Sequence, residues 1–91
     1  MIKSFRHRGL KELYQNGRSK NVSPSLHKGC LERIDALDHA SRPEDLKVPG
    51  FSFHALRGKP RRYSVHVSGN WCITFAWEDG NPIRVQLEDY H

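Results

Sequence analysis

Long apolar runs are missing from this sequence of 91 residues. Its uninterrupted apolar stretches span only a few residues, whereas a membrane-spanning helix needs roughly 20. The first residues also lack the apolar segment of a secretory signal. These absences predict a cytoplasmic protein with no membrane partner.

Cysteine is scarce, and the common metal and nucleotide motifs are absent. Cys30 and Cys72 form no C-x-x-C pair, which argues against a disulfide framework and predicts two reduced thiols. The six histidines include no H-x-x-x-H pair, so we expect no zinc site. The sequence also lacks a glycine-rich phosphate loop and a G-x-S-x-G elbow, and we expect no cofactor.

The chain is short enough to limit both its core and its domain count. A protein of 91 residues buries only roughly 60–65% of the surface that its unfolded form exposes. Residues 1–91 are therefore predicted to form one domain with one modest core. A large cofactor-binding enzyme is excluded on the same ground.

Positive charge is concentrated in two blocks of a chain whose net charge is +5. Residues 1–20 carry six basic residues and one acidic residue, and residues 51–67 carry four basic residues and no acidic one. If folding joins the blocks, they suit a polyanion such as nucleic acid, because neutralised phosphates release counterions. The alternative is an ordinary solvated surface.

Helical periodicity marks the first half of the chain. A first helix is indicated by the spacing of Leu10, Leu13 and Tyr14, and Gly17 is a natural C-terminal stop. Ser23 and Pro24 predict the start of a second helix, because serine can cap free amides and proline suits the first helical position. This helix should end near residue 41, and its apolar stripe consists of Leu26, Cys30, Ile34 and Leu37. Residues 2–5 alternate loosely and predict a short edge strand.

From residue 51 onward the apolar period becomes two, which predicts strands near residues 51–56, 63–68, 71–77 and 83–88. Residues 68–70 and an Asp-Gly pair at 79–80 supply tight turns. The expected fold class is α+β, with two N-terminal helices on one face of a mostly antiparallel sheet of four to five strands. The inward rows are expected to include the aromatic set Trp71, Ile73, Phe75 and Trp77, and in the last strand Ile83, Val85 and Leu87.

Polar residues on the uncovered face and beside it suit RNA hydrolysis without a metal. That reaction needs a base for the 2′-hydroxyl proton, an acid for the leaving 5′-oxygen and cations around the phosphate. Histidine suits proton transfer, arginine and lysine suit phosphate, and an aromatic ring can stack on a base. The candidates are His54, Arg57, Lys59, Arg61, Arg62, His66, Asp89, Tyr90 and His91. The alternative for each is an ordinary surface role.

Four segments resemble the HigB toxins of the RelE-type superfamily: IKSFRHRGL at residues 2–10, HALRG at 54–58, GNWCITF at 69–75 and EDYH at 88–91. The resemblance runs nearly end to end. It implies the RelE-like microbial RNase fold and a toxin of a type II toxin–antitoxin pair. It also implies a ribosome-dependent mRNA endonuclease that needs no metal, with a small helix-turn-helix antitoxin (HigA-like), the ribosome and mRNA as partners.

The resemblance also assigns roles to individual residues. His54 and His91 are expected to transfer protons, Arg57 to contact phosphate, Tyr90 to stack on a base and Asp89 to orient a neighbour. The residues expected to bind RNA or the ribosome are Arg6, Arg8, Arg18, Lys20, Lys59, Arg61 and Arg62.

One position departs from the family pattern. Where the HigB motif usually has arginine between tryptophan and isoleucine, this chain has Cys72. Loss of one donor to a transition-state phosphate typically costs on the order of 10²–10³ in rate. A second reading is therefore a catalytically weakened or silent homologue that binds RNA, the ribosome and the antitoxin. A third, a DNA-binding module, is weaker because no helix with clustered basic residues is apparent.

Overall fold

Two helices and four strands follow one another in the order that the periodicity predicts. The computed structural model describes residues 1–90. Helix α1 spans Arg8–Asn16, α2 spans Pro24–His39, and a 3₁₀ turn covers Pro43–Leu46. The strands are β1 (His54–Leu56), β2 (Arg62–Ser68), β3 (Trp71–Glu78) and β4 (Asn81–Asp89), paired antiparallel in sequential order. The α+β prediction is confirmed.

The helix ends show how the local sequence sets each boundary. Gly17 adopts φ 80° after α1, and its amide donates to the carbonyl of Leu13 at 2.8 Å, as predicted for a glycine stop. Pro24 is the first residue of α2, but the Ser23 side chain makes no capping hydrogen bond, so that part of the prediction is wrong. The Ser23 hydroxyl lies 3.1 Å from the Ser25 hydroxyl instead. Over residues 1–90, neither helix combines the length and hydropathy that a bilayer crossing requires.

The core lies between the two helices and one face of the sheet. The sheet supplies Val65, Ile73, Phe75, Val85 and Leu87, and the helices supply Leu10, Leu13, Leu26, Cys30, Ile34 and Leu37. Aromatic rings extend this layer, with Phe75 stacked on Tyr63 at 5.6 Å between centroids and the edge of Trp77 at 6.2 Å. The helices therefore cover most of the aromatic face, as predicted, but Trp71 at the start of β3 is exposed and that part of the prediction is wrong. The opposite side of the sheet is called the open face below.

A bulge in β4 corrects the predicted inward row. Thr74 pairs with Gln86, but two residues further along β3 Ala76 pairs with Ile83, so β4 contains one extra residue in this interval. Arg84 within it has φ 52°. The bulge turns Ile83 to the side of Ala76, and Pro82 is buried opposite Trp77 instead. The alternation fails here because a bulge shifts every residue on one side of it to the other face.

The N-terminal segment follows the edge of β4 without forming the predicted strand. Phe5 makes a single parallel bridge with Val85, and the amides of Lys3 and Arg6 donate to carbonyls of β4 at 2.9 and 2.8 Å. The bulge explains the interruption, because the amide of Arg84 donates to the side-chain oxygen of Ser4 rather than to a carbonyl. The sheet of named strands accordingly has four members.

Candidate active site on the open face

The sheet register brings polar side chains from all four strands to one part of the open face. One row across the sheet consists of His54, Ser64, Thr74 and Gln86. The adjacent row consists of His66, Cys72 and Glu88. The alternation therefore predicted correctly that His54 and His66 share this face. Both rows lie on the side that the helices leave uncovered.

These rows border a hollow of about 520 Å³. Its lining includes Ser52, His54, Ser64, His66, Cys72 and Tyr90. The volume is within the range of about 300–1,000 Å³ that small-molecule sites occupy, so one nucleotide unit fits better than an extended RNA segment. Proton-transfer groups and an aromatic ring thus meet in a space of suitable size.

His54 is held in a defined tautomer at the edge of the hollow. Its Nδ1 lies 2.7 Å from the carbonyl oxygen of Ser52. A carbonyl oxygen can only accept, so Nδ1 carries the hydrogen and Nε2 is the ring nitrogen left for a ligand. The side chain is exposed. A neutral His54 therefore presents a basic nitrogen, which is the arrangement that a general base needs.

His66 is oriented the other way, by its own backbone turn. Its Nε2 lies 2.8 Å from the carbonyl oxygen of Gly69, so the more distant ring nitrogen is engaged as the donor. Only Nδ1 remains for a ligand, and the side chain is half-buried. Of the two histidines on this face, His54 is better placed for proton transfer. Sequence analysis placed His66 among the candidates on the open face, and the family resemblance assigned it no role.

A charged network crosses the open face beside the hollow. Nη2 of Arg62 lies 3.3 Å from Oε2 of Glu88 and 3.3 Å from the hydroxyl oxygen of Tyr90. The buried hydroxyl of Thr74 donates to the same carboxylate oxygen of Glu88. The amide of Tyr90 donates to the carbonyl of Asn70 at 2.7 Å, which fixes the C-terminal segment to the β2–β3 turn. Sequence reasoning missed Glu88 and Thr74, although their places in the alternation put both on this face.

Burial and the Glu88 carboxylate raise the pKa of two weakly acidic groups of the site, the Cys72 thiol and the Tyr90 phenol. Burial, with the Glu88 carboxylate as a smaller cause, raises the pKa of the Cys72 thiol. The same two causes raise the pKa of the Tyr90 phenol, with Arg62 acting in the opposite direction. Because Arg62 donates to the phenol oxygen, the phenol hydrogen remains available to a ligand. Near neutral pH, Cys72 is a neutral thiol and Tyr90 a neutral donor.

Comparison with known proteins decides the family. Residues 3–91 match the family model described as the RelE-like toxin of the type II toxin–antitoxin system HigB. The chain is also 36% identical over 92 residues to the Endoribonuclease HigB of Proteus vulgaris, with both chains covered completely. The chain belongs to the HigB-like toxin family. It is a toxin of a type II toxin–antitoxin system, so an antitoxin is its partner.

The remaining predicted site residues of this HigB-like toxin occupy different places. Arg57 directly follows β1 and is exposed, as are Lys59 and Arg61 in the connection to β2. Asp89 pairs with Trp71, one residue out of step with Glu88, so the register assigns it to the opposite side of the sheet from Glu88. His91, predicted for proton transfer, lies outside the described residues. The structure thus brings together His54, Tyr90 and Arg62, but not Asp89.

A second hollow gathers basic residues along α1 and the loop that follows it. It has a volume of about 1230 Å³, and its lining includes Arg8, Glu12, Arg18 and Lys20. Nε of Arg8 lies 3.6 Å from Oε2 of Glu12, and Arg6 is exposed just before the helix. Although this hollow is larger, its lining includes no histidine from residues 1–90, and hydrogen bonds from Ser19 and Asn21 lower the pKa of Glu12, which makes that carboxylate a weaker base. The smaller hollow on the open face is therefore the better candidate for chemistry, and the larger one for binding an anion.

Proposed function

We propose that this HigB-like toxin is an endoribonuclease that cleaves messenger RNA positioned in the ribosome. The observation that carries the proposal is the hollow lined by His54 and Tyr90, with Nδ1 of His54 engaged by the Ser52 carbonyl and Arg62 bonded to Tyr90. The relative from Proteus vulgaris is named an endoribonuclease, which supports the reaction class. The small size of the hollow supports ribosome dependence, since a site for one nucleotide unit benefits from another body that positions a long message.

Cleavage begins with attack of the 2′-hydroxyl on the adjacent phosphorus, with no metal involved. The O2′–P bond forms, the P–O5′ bond breaks, and the products are a 2′,3′-cyclic phosphate and a 5′-hydroxyl. His54 and His91 share the proton transfers, one taking the 2′-hydroxyl proton and the other protonating the leaving 5′-oxygen. The neutral tautomer of His54 suits the base role, because it carries hydrogen on Nδ1 and leaves Nε2 unprotonated.

The other residues bind and orient the message. Arg57 and Arg62 contact the scissile phosphate, and the ring of Tyr90 stacks on a neighbouring base. Asp89 orients a neighbouring side chain. The remaining basic residues contact RNA backbone in the message and the ribosome: Arg6, Arg8, Arg18, Lys20, Lys59 and Arg61. Such contacts make binding weaken as the salt concentration rises.

The toxin is held inactive by a small helix-turn-helix antitoxin of the HigA type. A short reading frame for such a protein beside the toxin gene, and relief of growth arrest when both are expressed, are the expected observations. Growth arrest that persists with the neighbouring protein present would contradict this partner.

The test of the reaction compares translated and free RNA. The chain is purified with its antitoxin, released, and added to programmed ribosomes or to the same message alone, and the 5′ ends are sequenced. We expect new ends at defined codons only on ribosomes, and at least a 100-fold loss of rate for His54→Ala. His39→Ala is the matched control, because His39 is exposed on α2, which packs on the face opposite the hollow. Equal cleavage by wild type and His54→Ala would refute the assignment.

A second candidate function is favoured by Cys72. This neutral thiol lies between His66 and Glu88, at the position where the family pattern has a cation. In that case the chain is a catalytically silent homologue that binds the ribosome or the antitoxin without cleaving RNA. It predicts translation inhibition in the same assay without any new 5′ ends.

A further inference from the structure

Arg33 of α2 reaches from the helix layer to the backbone that carries the site. Its side chain is only 12% exposed. Nε donates to the carbonyl of His66 at 2.9 Å, and Nη2 donates to the carbonyl of Gly50 at 3.4 Å. The guanidinium carbon also lies 4.5 Å from the centre of the Phe51 ring. One buried cation thus ties α2 to β2 and to the segment before β1.

The close approach that allows this reach depends on Gly29. Gly29 precedes Arg33 by one helical turn, and its carbonyl accepts from Nη1 of Arg33 at 3.3 Å. A Cβ atom at this glycine would lie 3.0 Å from Cγ1 of Val67 on β2. A side chain at this position would require Val67 or the helix to move by a few tenths of an ångström, so glycine permits the close approach of this part of α2 to β2.

Each of the two segments that Arg33 contacts is connected to a histidine of the open face: β2 contains His66, and the segment before β1 leads to His54. The amide of His66 donates to the carbonyl of Phe51 at 2.6 Å, which locks β2 to the segment before β1. The next carbonyl along that segment, of Ser52, accepts from Nδ1 of His54. Ser52 has φ 47°, a left-handed conformation that a non-glycine residue keeps only when its surroundings enforce it. The direction of this carbonyl decides the tautomer of His54.

Arg33 is bonded mainly to carbonyl groups rather than to an acid. Its Nη1 lies 3.9 Å from Oε2 of Glu32, but that carboxylate side chain is 55% exposed and the separation is longer than a hydrogen bond. The shorter contacts all go to backbone oxygens. Five N–H donors in a rigid plane suit such multiple contacts, which a single ammonium group matches poorly.

We propose that Arg33 is a positioning residue for the open-face site. Through the carbonyls of Gly50 and His66 it fixes the segment at 50–52, and thereby holds His54 in the tautomer that presents Nε2 to RNA. This role rests on the proposed endoribonuclease function for its effect on rate, but its effect on the His54 ring does not depend on that function.

The experiment compares Arg33→Met and Arg33→Lys with Lys28→Met, a control at an exposed position of the same helix. The first readout is the fraction of His54 with hydrogen on Nδ1, measured by long-range ¹H–¹⁵N NMR of the purified chain. The second is kcat and KM for cleavage on programmed ribosomes. We expect Arg33→Met to lower the Nδ1-protonated fraction and to reduce kcat about 10- to 100-fold with KM changed less than about twofold. Arg33→Lys should restore part of both, and Lys28→Met should match wild type.

Two results would overturn the proposal. One is an unchanged His54 tautomer in folded Arg33→Met. The other is an equal change in Lys28→Met. If Arg33→Met does not fold, Arg33→Lys decides alone, and a wild-type tautomer and kcat in that variant count against positioning by the planar guanidinium. If wild type cleaves no RNA but Arg33→Met still shifts the tautomer, the positioning stands and the proposed function fails.

Discussion

Restoring a positive charge at position 72 is the sharpest test of how this site works. Cys72→Arg places a guanidinium on the open face between His66 and Glu88, its register partners on the two neighbouring strands. Side chains in such directly opposed positions have Cβ atoms about 4.5–5.5 Å apart. The new cation therefore reaches the hollow that Cys72 already lines.

The size of the expected gain follows from the charges present. A unit cation about 4 Å from a unit anion is worth about 4 kcal/mol at an effective dielectric constant of about 20. Glu88 will reduce this gain, because its carboxylate will pair with the new guanidinium as well as with Arg62, which lies 3.3 Å away. We therefore expect the lower end of the range for one transition-state donor, about 100-fold in rate or about 2.7 kcal/mol.

The assay is single-turnover cleavage of a message on programmed ribosomes, with wild type, Cys72→Arg and Cys72→Ser measured side by side. Cys72→Ser is the neutral control for loss of the thiol, and its rate should equal that of wild type. Equal rates for Cys72→Arg and wild type would refute the argument that the missing cation at position 72 limits the rate. An equal gain in Cys72→Ser would show that removing sulfur, rather than adding charge, was responsible.

Three further predictions concern stability and the local electrostatics. Burial lowers the pKa of His7, whose unprotonated Nδ1 accepts from the Leu10 amide and caps α1, so the free energy of unfolding should fall as the pH drops from about 7.5 to 5.5. Urea titrations should show a smaller fall for His7→Asn, whose cap does not titrate. An equally large fall in that variant would contradict the cap. Phe75→Ala removes the ring of a residue that is 1% exposed and should lower the free energy of unfolding by about 3–5 kcal/mol. A loss below about 1.5 kcal/mol would contradict the burial of this ring in the core. Glu88→Gln removes one cause of the raised Cys72 pKa, so iodoacetamide should alkylate Cys72 faster at pH 8 in this variant than in wild type. Buried Cys30, whose pKa is raised to about 11, is the internal control. An unchanged rate at Cys72 would contradict the electrostatic effect of Glu88 on this thiol.

Sequence analysis correctly predicted those features of the site that follow from the alternation of side chains along a strand. The motifs correctly indicated the HigB-like family. Period-two alternation put His54 and His66 on one face, since side chains of a regular strand alternate regardless of what packs against them. The catalytic roles given to His54, Arg57, Asp89, Tyr90 and His91 stay predictions. Only the strand register shows that Asp89 pairs with Trp71 and lies on the opposite side of the sheet from Glu88.

Other parts of the site depend on contacts far apart in the sequence. Arg62 meets Glu88 and Tyr90 across 26 and 28 residues, and Arg33 meets the His66 carbonyl across 33. No local period encodes such partners, because they depend on strand register and on how closely α2 approaches the sheet. The hydrogen-bonded ring nitrogen of each histidine likewise depends on carbonyl directions that only the folded backbone fixes.

The sequence by itself determined the two helices, the succession of strands, the Gly17 stop and the Asp79–Gly80 turn, where both residues have positive φ. These follow from apolar period and from backbone preferences within a few residues. The tertiary structure alone decided the β4 bulge that turns Ile83 outward, the late start of β1 at His54 and the network around Glu88. The reason is physical: local patterns state which side chains can be buried, whereas register, bulges and layer spacing decide which of them meet.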